Sequence, residues 1–118
     1  MTKYFFSLCL LSLCACASYE KVAYQEPPDA EKLGGVILEP VLKVRPYYPQ
    51  KAKENGLNGW VMFEFNVGEI GEPVNIKVVD SHPKGLFIPE AKSAFKKWRF
   101  QSIKKDTVKK QFSIVYFE

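Results

Sequence analysis

Residues 59–67 read Gly-Trp-Val-Met-Phe-Glu-Phe-Asn-Val and place Val61, Phe63, Phe65 and Val67 at every second position. Side chains that repeat every two residues share one face of a β-strand, so this stretch needs a sheet with a layer packed on it. The opposite face, Trp60, Met62, Glu64 and Asn66, is more polar and is expected to be half exposed. Gly68 to Pro73 is a turn. Beyond it Val74, Ile76 and Val78 alternate with Asn75 and Lys77, which predicts an antiparallel hairpin.

Val36-Ile37-Leu38 is expected as a short extended segment leading to Pro40, and helices flank the hairpin. Pro46 and Pro49 hold the chain extended up to Tyr48, and Pro49 then suits the first turn of a short helix over 50–55 that ends at Gly56. A second helix is expected from Pro89 to Trp98, where Ala91, Ala94, Phe95 and Trp98 form one apolar stripe. A last strand spans Gln111 to Phe117. The order helix, strand, strand, helix, strand predicts an α+β fold over residues 36–118, a three-stranded antiparallel sheet packed against two helices. Its expected core is Val61, Phe63, Phe65, Ile76, Val78, Phe95 and Trp98. At 47% hydrophobic and 25% charged residues, the 118-residue chain is composed like a globular protein rather than a disordered one.

All three cysteines, Cys9, Cys14 and Cys16, precede residue 17, so no disulfide or thiolate chemistry serves the domain. Lys3 and the apolar run Tyr4 to Ala17 describe a signal segment over residues 1–17. At about 1.5 Å per residue the run reaches about 21 Å, short of a bilayer core. Ala15-Cys16-Ala17 fits an ordinary cleavage site that frees Ser18. Leu13-Cys14-Ala15-Cys16 resembles a bacterial lipobox, which would put lipid on Cys16 and a stable membrane anchor on the protein. Ala17 is not the Asp that retains such proteins at the inner membrane, so by that resemblance the outer membrane is expected. Residues 18–35, polar and mostly acidic with Pro27-Pro28 inside, read as a tether.

Enzyme chemistry finds little support. Asp80-Ser81-His82 lies on an extended stretch, where consecutive side chains point apart and cannot converge as a triad. His82 is the only histidine, and no phosphate-cradling glycine motif is present, so no metal or cofactor is expected. Lys92, Lys96, Lys97, Arg99, Lys104, Lys105, Lys109 and Lys110 form a basic run against Asp106. In an exported protein that run is a solvated face, or a surface for anionic membrane or an acidic partner, rather than a nucleic-acid site.

The ordered set Tyr48-Pro49, Gly59 with its strand, Gly71, Val78-Val79-Asp80-Ser81, Pro83, Phe87, Ala91, Ala94 and Lys97-Trp98-Arg99-Phe100 resembles the C-terminal domain of the TonB family over residues 40–118. The resemblance implies a periplasmic Gram-negative protein in energy-coupled transport, whose domain adds a receptor segment, the TonB box, to its sheet as a strand. It points to the edge of the last strand, Gln111, Ser113, Val115 and Phe117, with Arg45, Pro46 and Tyr48 beside the captured segment. The partner is then an outer-membrane receptor segment or another envelope protein. A full transducer has a proline-rich spacer and a spanning motor helix that this sequence does not show, which leaves a structural or assembly lipoprotein as the alternative. Open sheet edges also allow a homodimer by strand exchange.

Overall fold

A computed structural model describes residues 23–102 and 109–118. Cys16, with residues 1–17 read above as a signal segment, and Lys104, Lys105 and Asp106 lie outside those residues. In chain order come β1 (Gly35–Ile37), α1 (Gln50–Glu54), β2 (Gly59–Val67), β3 (Pro73–His82), α2 (Ile88–Phe95) and β4 (Lys110–Phe117), with a 3₁₀ turn at Glu31–Leu33 before β1. Among the described residues no helix is long and apolar enough to cross a membrane.

The expected hairpin is present. β2 and β3 pair antiparallel from Trp60↔His82 to Val67↔Pro73. Their turn is closed by Gly68 N–H donating to Glu72 O at 2.7 Å and Gly71 N–H to Gly68 O at 3.0 Å. Gly71 has φ +84°, and a Cβ there would strike the Phe100 carbonyl. In turn Phe100 N–H donates to Gly71 O at 2.7 Å, fastening the hairpin tip to the chain beyond α2. β4 pairs antiparallel with the other side of β2, from Gly59↔Phe117 to Phe65↔Gln111.

The sheet has four strands rather than three, in the order β1-β4-β2-β3, and it is mixed. β1 pairs parallel with the start of β4: Gly35↔Lys110, Val36↔Gln111, Ile37↔Phe112. Gly35 permits this close approach, because a Cβ there would meet the Lys110 carbonyl and the Phe112 ring.

The main core lies between the sheet and the helices. Val61, Phe63 and Phe65 meet Ala91, Phe95, Trp98 and Phe100 from the α2 side, Ala52 from α1, and Val115 and Phe117 from β4. Phe63 stacks on Phe95 at 4.7 Å between centroids, and Phe87 on Phe117 at 4.2 Å. Burying side chains of this size contributes roughly 1.5–3 kcal/mol each before entropy is subtracted. α2 stops at Phe95, and Trp98 reaches the core from the turn that follows, where Trp98 N–H donates to Phe95 O at 3.0 Å.

Two expectations about burial are corrected. Val78 is 40% exposed rather than in the core, while Ile76 packs against it. The register shifts between Met62 and Phe63, where Met62 faces Asp80 and Phe63 faces Val78, and this irregularity breaks the alternation of β3. Trp60 and Met62 are 2% and 0% exposed rather than half exposed. With Ala30 and Phe112 they form a second cluster on the far side of the sheet, and Trp60 Nε1–H donates to Gln25 O at 2.7 Å. The segment read as a tether therefore lies, over its described part, against that face of the sheet.

Candidate functional site

Between α1 and the bridge at Leu42↔Arg99, the chain runs extended past the end of β4. Trp98 Nε1–H donates to Val44 O at 2.8 Å, and Lys43 Nζ stands 5.3 Å from the centre of the Trp98 ring. Tyr48 anchors the other end. Its hydroxyl donates to Leu57 O and lies 3.2 Å from Asn58 Oδ1. Its ring meets Phe87 and Phe117 edge-on at 5.8 Å each. Burial pushes the Tyr48 phenol above its ordinary pKa.

The extended stretch and the second half of β4 enclose a cleft of about 1030 Å³. Arg45, Pro46, Tyr47 and Tyr48 line one wall, and Val115, Tyr116, Phe117 and Glu118 the other. Lys43 and Lys53 add positive charge to the lining, with Glu118 opposing it. A smaller cleft of about 530 Å³ lies on the far side of the same stretch, against Pro89, Glu90, Ser93, Ala94 and Lys97. The extended stretch is thus a ridge with a hollow on each side.

Of the residues singled out from sequence, Arg45, Pro46, Tyr48, Val115 and Phe117 line the larger cleft, and Gln111 and Ser113 do not. Val115 and Phe117 are each 1% exposed, backbone included, so along this half of β4 the outward positions are half-buried Ile114 and exposed Tyr116. Gln111 and Ser113 lie where β1 is seated: Leu38 N–H donates to Phe112 O at 2.9 Å, and the Ser113 hydroxyl donates to Leu38 O at 3.0 Å. From Ile114 to Phe117 the outer edge of β4 has no partner strand among the described residues. Sequence reasoning missed Lys43, Tyr47, Trp98 and Tyr116 as cleft residues. The indole of Trp98 carried the one available signal, since a buried Trp N–H needs an acceptor. In Tyr116 burial, with Tyr24 and the carboxylates of Glu26, Glu118 and Glu39 nearby, raises the phenol pKa.

Asp80, Ser81 and His82 do not converge. Burial opposes ionisation of Asp80, but the Ser81 N–H at 2.8 Å and the Lys84 ammonium at 3.1 Å outweigh it and hold the carboxyl below its usual range. Ser81 Oγ accepts from Gly85 N–H at 3.3 Å, and His82 lies edge-on to Tyr24 and tilted against Trp60. Among the described residues no group of His, Cys, Asp and Glu is placed to hold a metal ion.

Comparison with known proteins matches this architecture. The protein TonB of Yersinia enterocolitica is 31% identical over 61 residues, 52% of this chain and 24% of that protein. TonB of Pseudomonas aeruginosa is 33% identical over 64 residues, 54% of this chain and 19% of that protein. These matches span about a quarter or less of either relative. The solution NMR structure of the P. aeruginosa TonB C-terminal domain superposes with a TM-score of 0.53 at 26% identity, covering 69% of this chain and 85% of that one. The TonB2 protein of Vibrio anguillarum gives a TM-score of 0.50 at 29% identity, covering 84% and 95%. The family model of the Gram-negative bacterial TonB protein C-terminal matches residues 44–118, which takes in α1, β2, β3, α2, β4 and both walls of the larger cleft, and the chain belongs to that family.

Proposed function

We propose that this domain captures an extended segment of an outer-membrane receptor, or of another envelope protein, as an added strand on β4 in TonB-type energy-coupled transport. The observation that carries the reading is the bare edge Ile114–Phe117 facing a cleft whose other wall is the ridge of Arg45, Pro46 and Tyr48. A free edge offers backbone N–H and C=O groups to any extended peptide, and the ridge supplies the side-chain contacts that select one. It works by binding rather than catalysis. The domain spans residues 36–118 behind a signal segment. Lipid on Cys16 would hold it at the periplasmic side of the outer membrane, within reach of receptor segments.

The direct test is titration of the ¹⁵N-labelled chain with synthetic TonB-box peptides. Amide shifts concentrated in Ile114–Phe117 and Lys43–Tyr48 are expected. No shift at millimolar peptide overturns the reading. Intact-mass analysis of the mature N-terminus tests the anchor: a diacylglyceryl Cys16 is expected, and a free Ser18 rejects it.

A further inference from the structure

The outer edge of β4 is divided. Its first half carries β1, and its second half opens into the cleft. At about 3.3 Å per residue, the four residues from Ile114 to Phe117 offer about 13 Å of edge. A strand of ordinary length has about 5–6 residues and needs more than that. β1 runs along the same edge and leaves it at Leu38, so the cleft continues the line that β1 begins.

We infer that β1 is the chain's own stand-in for the partner strand, and that a partner of ordinary strand length pairs along β4 only by lifting β1 away. The inference rests on the strand-addition reading above and adds an autoinhibitory contact to it. Three features fit a segment built to leave. β1 has only three register pairs, and Ile37 is 41% exposed. The segment before it is held to the far face chiefly by Ala30 and by the indole bond to Gln25. In register with Val36, Gln111 carries a buried Oε1 with no hydrogen-bond partner, an acceptor left over by the present pairing and open to an incoming donor. Lifting this segment also uncovers Trp60, so the two ends of the contact report on each other.

The experiment uses the full chain, two peptides and two variants. One peptide is a TonB-box sequence. The other is Gly-Gly-Val-Ile-Leu-Glu-Pro, the chain's own residues 34–40. Gly35→Val drives a side chain into the Lys110 carbonyl and the Phe112 ring. Val36→Pro removes the backbone donor midway between the bonds Lys110 N–H to Gly34 O and Leu38 N–H to Phe112 O. In the unaltered chain, TonB-box peptide is expected to shift the Trp60 indole N–H signal and to speed exchange of the Leu38 amide. Both variants should bind both peptides about tenfold tighter or more, because the competent state no longer competes with a tethered strand. The β2 and β3 amide pattern checks that each variant is folded, and the Trp60 signal of the unaltered chain needs no variant at all.

Peptide shifts confined to Ile114–Phe117, with Trp60 unmoved and no gain in the variants, overturn the inference and leave strand addition standing. Failure of the 34–40 peptide to bind either folded variant overturns it as well. If TonB-box peptides bind neither form while the 34–40 peptide gains tenfold in the variants, displacement is upheld and the proposed partner is what falls.

Discussion

Tyr48 holds the ridge with two parts of one side chain: a hydroxyl bonded to Leu57 O and a ring wedged against Phe87 and Phe117. Separating the two is straightforward. Tyr48→Phe removes one part-buried hydrogen bond and should cost about 1 kcal/mol in urea unfolding. Tyr48→Ala also removes the ring and should cost about 3 kcal/mol. Equal losses would show that the ring contributes nothing. Trp98→Phe keeps most of its volume but leaves the Val44 carbonyl without its donor, so about 1–3 kcal/mol should go, with ridge amides exchanging faster. Asp80 gives a pH prediction. Its folded pKa is depressed, so its contribution is present above the unfolded carboxylate range near 3.8 and is lost as pH falls through the folded value. In Lys84→Met the Asp80 midpoint, followed by carboxyl NMR, should move upward. Because Lys84 is 87% exposed, the stability change should stay within the small range of surface ion pairs.

Among the elements, β2 is paired on both sides and β1 on three residues of one side. Hydrogen exchange should therefore rank β2 amides slowest, near the global unfolding limit, and β1 amides fastest of the four strands. Slow exchange in β1 would contradict the ranking. The same contrast explains what could be read from the sequence. β2 and α2 were legible because long apolar periods survive without neighbours: Val61, Phe63 and Phe65 at every second place, Ala91, Ala94 and Phe95 on a helical stripe. Of β1 only an extended stretch over 36–38 was legible, since so few residues carry no period and their pairing depends on where Lys110–Phe112 lie. Val78 was misplaced because a bulge is a property of two strands together. Trp60 and Met62 held a readable hint: two large apolar side chains at one end of an otherwise polar face ask for a cover, which Ala30 and the backbone of Gln25 supply. Of the cleft, the sequence resemblance reached the ridge and the strand, but not which half of the strand is bare.

At the scale of the whole molecule, the fold carries no covalent cross-link within its described residues, since the cysteines stop at residue 16. The urea midpoint should be the same with and without dithiothreitol, and a shift would show that the N-terminal cysteines tie into the domain. Cohesion rests instead on one strand. β4 comes last in sequence yet lies inside the sheet, between β2 and β1. A nascent chain on the ribosome therefore holds β2 with one flank bare until residues 110–117 emerge, and the sheet cannot close before then. That postponement makes closure of the sheet a late, long-range event, so a chain stalled before β4 keeps an open flank on which a stray strand can pair.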